Sequence, residues 1–179
     1  MFRFNVLNCV SDAPVQCNEP QFDVPAGLVG ERGVYTFICS LFVLLINRAQ
    51  AQKLEWTNPD GLGKSPAYSQ MVRAGKLLFI AGQTGVTADG KVVGPGMKQQ
   101  YEQALNNLVT ALKSQGTDLA HVAKITTYVT SMDEFRTPEM VDLRLKRFGS
   151  HPPASTLVQV VRLADPAYKV EVDAIAVVP

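Results

Sequence analysis

From residue 64 onward the apolar positions change period several times, and each change marks an element. Met97, Tyr101, Ala104, Leu105, Leu108, Ala111 and Leu112 recur at helical spacing. They predict a helix with one stripe laid against a sheet, ended near Gly116. Residues 122–130 alternate instead, with Ala123, Ile125, Thr127 and Val129 on one side and Lys124, Thr126, Tyr128 and Thr130 on the other. That β-branched alternation predicts a strand. Residues 69–73 and 77–82 predict two strands joined at Ala74-Gly75, the second apolar throughout, as suits a strand covered on both faces. Thr137-Pro138-Glu139 has the chemistry of a helix start, with Val141, Leu145 and Phe148 as its buried side before Gly149. Residues 155–163 and 168–177 predict two closing strands linked by Ala164-Asp165-Pro166-Ala167. Residues 52–63, with Pro59-Asp60-Gly61, read as a turn-rich lead-in, and residues 91–93 as a short loop or edge strand before Gly94-Pro95-Gly96.

The order ββ-α-β-α-ββ predicts a single α+β domain, a mixed sheet with two helices on one face. Its other face needs a cover.

The front of the chain follows different rules. Residues 34–46 form a run of 13 without a charge, followed by Asn47-Arg48-Ala49-Gln50-Ala51. A membrane-crossing helix needs about 20 apolar residues, so the run is short for that and suits a signal-peptide core. Ala49-Gln50-Ala51 supplies the small-x-small pattern of a cleavage site, with Arg32 as a thin positive flank. The expectation is therefore cleavage after Ala51, export to the periplasm and no stable membrane association afterwards. Residues 1–33 are then a leader that a misplaced translation start would account for, 34–51 the signal core and cleavage region, and 52–179 the folded domain. The competing readings keep the chain cytoplasmic or tethered to a membrane. Cys9, Cys17 and Cys39 all precede the expected cut, which leaves no cysteine nucleophile in the domain.

Composition narrows the function. Lysine plus arginine number 17 against 16 acidic residues, and 46% of positions are apolar. No stretch clusters basic residues with aromatics, so nucleic acid is not an expected partner. His121 and His151 stand 30 positions apart with no donors at ligand spacing. Neither a metal site nor a cofactor is expected.

Four short blocks carry the most specific signal: Pro66-Ala67-Tyr68-Ser69-Gln70, Ile80-Ala81-Gly82-Gln83, Pro152-Pro153-Ala154-Ser155-Thr156, and Val170-Glu171-Val172-Asp173-Ala174-Ile175-Ala176. In order and spacing they resemble the ligand-binding segments of the reactive-intermediate deaminase family (RidA, also called YjgF-like or L-PSP-like), over residues 64–178. The resemblance implies a chorismate-mutase-like fold, a homotrimer whose sheets pack around a central barrel, and small-molecule clefts between subunits.

It also implies roles. Glu171 matches the glutamate that positions water in family deaminases, and it shares a strand face with Lys169 and Asp173. A partly desolvated Glu171 is expected to hold its proton above the ordinary carboxylate range, as a general base for imine hydrolysis should. Tyr68 matches a tyrosine lining the cleft. Ala81 and Gly82 match a Ser-Gly segment whose main chain touches the ligand, without the serine hydroxyl.

One position departs from the pattern. Where deaminating members read Pro-Ala-Arg, this chain reads Pro153-Ala154-Ser155, followed by Thr156. A serine hydroxyl cannot replace the bidentate, charged grip of a guanidinium on a carboxylate. Arg162 lies too far along the strand to substitute, and Val141 falls near the place where relatives carry an asparagine. The expectation is a branch lacking the carboxylate-binding arginine, hydrolysing a small imine, enamine or related C–N compound without a carboxylate there unless another group compensates. Ser155 and Thr156 would then offer neutral hydrogen bonds. The alternative is a non-catalytic trimer that binds a small metabolite.

Overall fold

One strand with antiparallel partners on both sides organises the molecule. In a computed structural model, which describes residues 52–179, the strands are β1 (Leu54–Thr57), β2 (Met71–Ala74), β3 (Leu77–Thr84), β4 (Val122–Val129), β5 (Ala154–Gln159) and β6 (Val170–Val177). The helices are α1 (Met97–Lys113), the single turn α2 (Met132–Phe135) and α3 (Pro138–Phe148). The sheet order is β1-β2-β3-β6-β4-β5. Every pair is antiparallel except β4 with β5. A parallel pair needs a crossover, and α2 with α3 provides it.

The alternating pattern of β6 seals one face. Val170, Val172, Ala174 and Ala176 are buried, and they meet α1 through Tyr101, Ala104, Leu105, Leu108, Ala111 and Leu112, none of which is exposed. Leu78 and Ile80 of β3 and Ile125 and Val129 of β4 complete this layer. The ring of Phe135 meets that of Tyr101 edge-on, with centroids 5.0 Å apart at 84°.

Two buried amides tie the helix to the strand ends. Gln100 donates through Nε2 to the carbonyls of Gly94 and Ala167, at 2.8 and 2.9 Å, and its Oε1 accepts from the Lys169 N–H at 2.8 Å. It anchors both the start of α1 and the entry to β6. Asn107 donates to the carbonyls of Thr84 and Val86 at 3.1 and 2.8 Å, fixing the exit of β3. At Gly85 an added Cβ would lie 2.4 Å from Gln100 Cβ, so the chain passes α1 at a distance only glycine allows.

Most predicted elements form within a few residues of their expected bounds. Gly116 closes α1 with φ +69°, and the Thr137 hydroxyl caps α3 by accepting from the Met140 N–H. Three expectations need correction. The lead-in contains a strand, β1, whose four residues are too few and too exposed to show a period. The fifth strand stops at Gln159, because the Val160 N–H turns to the Val129 carbonyl and Val161 is fully exposed. The buried side of α3 is formed by Met140 and Phe148, whereas Val141 and Leu145 are 52% and 59% exposed. Helix α3 is rotated so that those two residues border a recess with Pro152 and Pro153. The expected signal core and cleavage region lie outside the described residues.

Leu108 sits at the centre of the α1 seam. Leu108→Ala should lower the unfolding free energy by about 2–5 kcal/mol, read from urea denaturation.

Candidate active site

The uncovered face of the sheet carries the chemistry. In β6 the residues between the sealed ones are Glu171, Asp173 and Ile175, all half-buried. Register sets their neighbours: Glu171 lies opposite Thr84 of β3 and Tyr128 of β4, and Asp173 opposite Thr126.

A register shift between Ile80 and Gln83 places one extra residue of β3 against β6, a β-bulge that bends the strand at Ala81-Gly82. The Gln83 amide holds the bulge by donating to the Ala81 carbonyl at 2.9 Å and to Gln70 Oε1 at 2.8 Å. Gln70 in turn donates through Nε2 to the Gly63 carbonyl at 2.5 Å and through its backbone N–H to Asn58 Oδ1 at 2.8 Å. The Ala81 N–H donates to the Gln70 carbonyl at 2.9 Å, so what Ala81 can still present to a ligand is a carbonyl lone pair rather than a donor. At Gly82 the glutamate itself fills the space: an added Cβ would fall 1.8 Å from Glu171 Oε1.

Glu171 therefore lies over the bulge with its carboxylate unpaired, since no salt bridge among the described residues includes it. Burial, and then the charge of Asp173, hold its carboxyl above the ordinary range. Two tyrosines that the sequence reading did not assign to the site share this region. The charge of Asp173 raises the phenol of Tyr128, helped by burial and by Glu171. The phenol of Tyr168 is raised by burial and by Asp165, Tyr68 and Glu171. Tyr68 and Glu171 thus each lie within electrostatic reach of Tyr168. Tyr68 is 55% exposed, free to meet a ligand rather than serving as core.

Ser155 and Thr156 lie elsewhere. Both are on β5, two strands from β6, which corresponds to about 10 Å of lateral separation. As consecutive strand residues they also point to opposite faces. Thr156 registers with Thr126 and accepts from Lys124 Nζ on the uncovered face. Ser155 points toward α3, where its hydroxyl accepts from Arg144 Nη2 at 3.0 Å. One chain thus sets Glu171 against Gly82 and keeps Ser155 apart from them.

The histidines have local partners. His121 Nδ1 lies 2.8 Å from Asp118 Oδ1, and His151 Nδ1 lies 3.0 Å from Ser150 Oγ. Among the described residues no group of three or more His, Cys, Asp or Glu is placed to hold a metal.

Arg144, Tyr128 and Tyr168 are the residues sequence reasoning missed. Tyr128 carried a usable signal, since its alternation places it on the face opposite the core. Arg144 carried none, because its relation to Ser155 depends on how α3 packs.

Known proteins match this chain in sequence and in fold. Residues 61–178 match the family model described as Endoribonuclease L-PSP. The chain is 36% identical over 110 residues to a RutC family protein of Pyrococcus horikoshii, covering 61% of this chain and 85% of the relative. It is 35% identical over 119 residues to the 2-iminobutanoate/2-iminopropanoate deaminase of Bos taurus, covering 64% and 85%. Among solved structures, a putative endoribonuclease from Thermotoga maritima superposes with a TM-score of 0.63 at 32% identity, covering 69% of this chain and 96% of that one. A protein of the conserved Rid family from Yersinia pestis gives 0.66 at 25% identity, covering 70% and 100%.

The raised carboxyl of Glu171 has a consequence for stability. The folded state binds this proton more tightly than the unfolded chain, so its contribution is most favourable at low pH. It declines as pH rises from the ordinary carboxylate value through the folded one, then levels off. Glu171→Gln should accordingly be more stable than the parent at neutral pH, with the difference vanishing below the ordinary carboxylate range. Denaturation midpoints at the two pH values check this.

Proposed function

The chain belongs to the RidA superfamily, and from that premise we propose that it is a hydrolytic deaminase of a small imine, enamine or related C–N compound, with serine standing where relatives carry arginine. The observation that carries the proposal is Glu171, an unpaired, half-buried carboxylate with raised proton affinity, lying over a glycine bulge.

Its chemistry follows from those properties. A water held by Glu171 gives a proton to the carboxylate as its oxygen bonds to the imine carbon, and the Glu171 carboxyl passes that proton to the imine nitrogen to form a carbinolamine. The carbinolamine hydroxyl then gives up its proton to Glu171, which delivers it to nitrogen as the C–N bond breaks, releasing ammonia, leaving a carbonyl compound and restoring the carboxylate. A base whose affinity for protons lies nearer neutrality does this better than an ordinary surface glutamate. Tyr68 and Gly82 shape the space, and Asp173 acts through its charge on Glu171.

The proposal includes a homotrimer with the small-molecule cleft between subunits. Leu54, Trp56, Leu77, Phe79, Val158 and Val177 are all more than a third exposed, and strand register puts them on the uncovered side of the sheet. An apolar surface of that kind favours burial against other copies. A cleft between copies also accounts for Ser155 lying apart from Glu171 within one chain. The balanced charge gives no support to a ribonuclease reading.

Glu171→Gln should reduce hydrolysis of small imines that carry no carboxylate by about 100- to 10,000-fold, measured as ammonia released beyond the spontaneous rate. Ligand-dependent thermal stabilisation in a parent protein without turnover would instead support the non-catalytic binding trimer.

Export belongs to the same proposal, supported by the uncharged run at 34–46 and Ala49-Gln50-Ala51. Mass spectrometry of the native protein should find a mature N-terminus at Gln52.

A further inference from the structure

Lys169 stands two residues before Glu171, and the alternation of extended backbone puts its Cβ on the same face. Two strand residues span about 7 Å, within the combined reach of a lysine and a glutamate side chain. Left to itself, the ammonium would pair with the Glu171 carboxylate. Such a contact would hold Glu171 ionised and weaken it as a base, because a nearby opposite charge favours the charged form of a carboxyl.

The structure directs the ammonium elsewhere. Lys169 Nζ donates to both carboxylate oxygens of Glu134, at 2.9 and 2.7 Å. Glu134 belongs to the single turn α2, which is fixed in three ways. The ring of Phe135 is buried edge-on against Tyr101, the Ser131 hydroxyl accepts from the Glu134 N–H at 3.2 Å, and the Met132 N–H donates to Gln159 Oε1 at 3.0 Å. The main chain of Lys169 is held as well. Its N–H donates to Gln100 Oε1 at 2.8 Å and its carbonyl accepts from the Thr130 N–H at 3.0 Å. With both backbones anchored, the carboxylate of Glu134 sets the direction of the lysine.

The groups that face Glu171 are then of one kind. Asp173 lies on its own strand, Tyr128 opposite on β4, Thr84 opposite on β3, and Tyr168 at the approach to β6. None of these is a cation. Lys124 of β4 and Arg144 of α3 are engaged at Thr156 and Ser155. Burial and the charge of Asp173 both act on Glu171 in the upward direction, and Lys169 is the cation on its own strand face that could oppose them.

We propose that Glu134 is a positioning residue for the candidate base, holding Lys169 so that its ammonium does not pair with Glu171. This rests on the reading of Glu171 as the base of a deaminase and adds the group that keeps it free. Glu134 touches neither water nor substrate in this role and acts through the lysine.

The test uses the whole protein with isotopically labelled glutamate, the Glu171 carboxyl signal being identified by its loss in Glu171→Gln and followed by NMR against pH. Glu134→Gln should move this titration to lower pH as Lys169 turns to Glu171. Lys169→Met in the Glu134→Gln background should return it to the parent position. Turnover of a small imine without a carboxylate, measured as ammonia released, should follow the same order. Its acid limb in kcat/KM should move to lower pH in Glu134→Gln, with the plateau reduced by about 3- to 30-fold, and both should recover in the double variant. An unchanged Glu171 titration in Glu134→Gln would overturn the proposal. So would a shift that persists in the double variant, which would come from loosening of α2 rather than from the lysine. The two readings fail separately. A titration that shifts and recovers in a protein that hydrolyses no imine removes the deaminase reading alone, whereas Glu171-dependent hydrolysis with a titration indifferent to Glu134→Gln removes the positioning role alone.

Discussion

The alternation of side chains along β6 is the constraint on which the rest depends. Because successive residues of a strand face opposite ways, the four that seal the core, Val170, Val172, Ala174 and Ala176, determine where Glu171 and Asp173 must point. A slip of one residue would bury both carboxylates beneath α1 and expose the core. The register is held from both flanks by β3 and β4, and the entry to the strand is held by Gln100 through the Lys169 N–H. Core stability and the position of the candidate base are thus one and the same requirement.

Around that strand the sheet has two unlike faces. The helix side is closed by α1 and is apolar at its centre apart from the buried hydroxyls of Tyr101 and Thr127. The other side is divided, with an apolar area at the β1 to β3 end and a polar area containing Thr126, Tyr128, Glu171 and Asp173. Burial enough to raise a carboxyl, exposure enough to admit water and a nearby apolar surface for a second copy are all properties of this one face. The bulge at Ala81-Gly82 completes it, because the space a side chain would occupy there belongs to the Glu171 carboxylate.

The edge of the sheet obeys a different logic. Strand β5 has a neighbour on one side only, and α3 packs beside it through Met140 and Phe148 rather than through Val141 and Leu145. That rotation brings Arg144 to Ser155 and leaves Val141 and Leu145 beside the two prolines. The adjoining helix thus gives the Ser155 hydroxyl of β5 a guanidinium donor that the strand alone does not supply.

What the linear order of residues determined was local and periodic. The stripe from Met97 to Leu112, the alternation from Lys124 to Val129, the cap at Thr137 and the stop at Gly116 appear as read, because helix and strand periods are properties of neighbours in the chain, whereas a register shift between Val122 and Lys124 buries Val122 and leaves Ala123 exposed, against the expected side. The motif blocks likewise contained Gly82 and Glu171, which the fold places in contact. What only the tertiary structure decided depended on contacts between distant segments. The four-residue β1 exists through pairing with β2 and is too short to show a period of its own. The true buried face of α3 follows from the space left by β5, since Val141 and Met140 are equally apolar in sequence. The nearness of Arg144 to Ser155 and of Tyr168 to Glu171 arises from packing and register, which no spacing along the chain encodes.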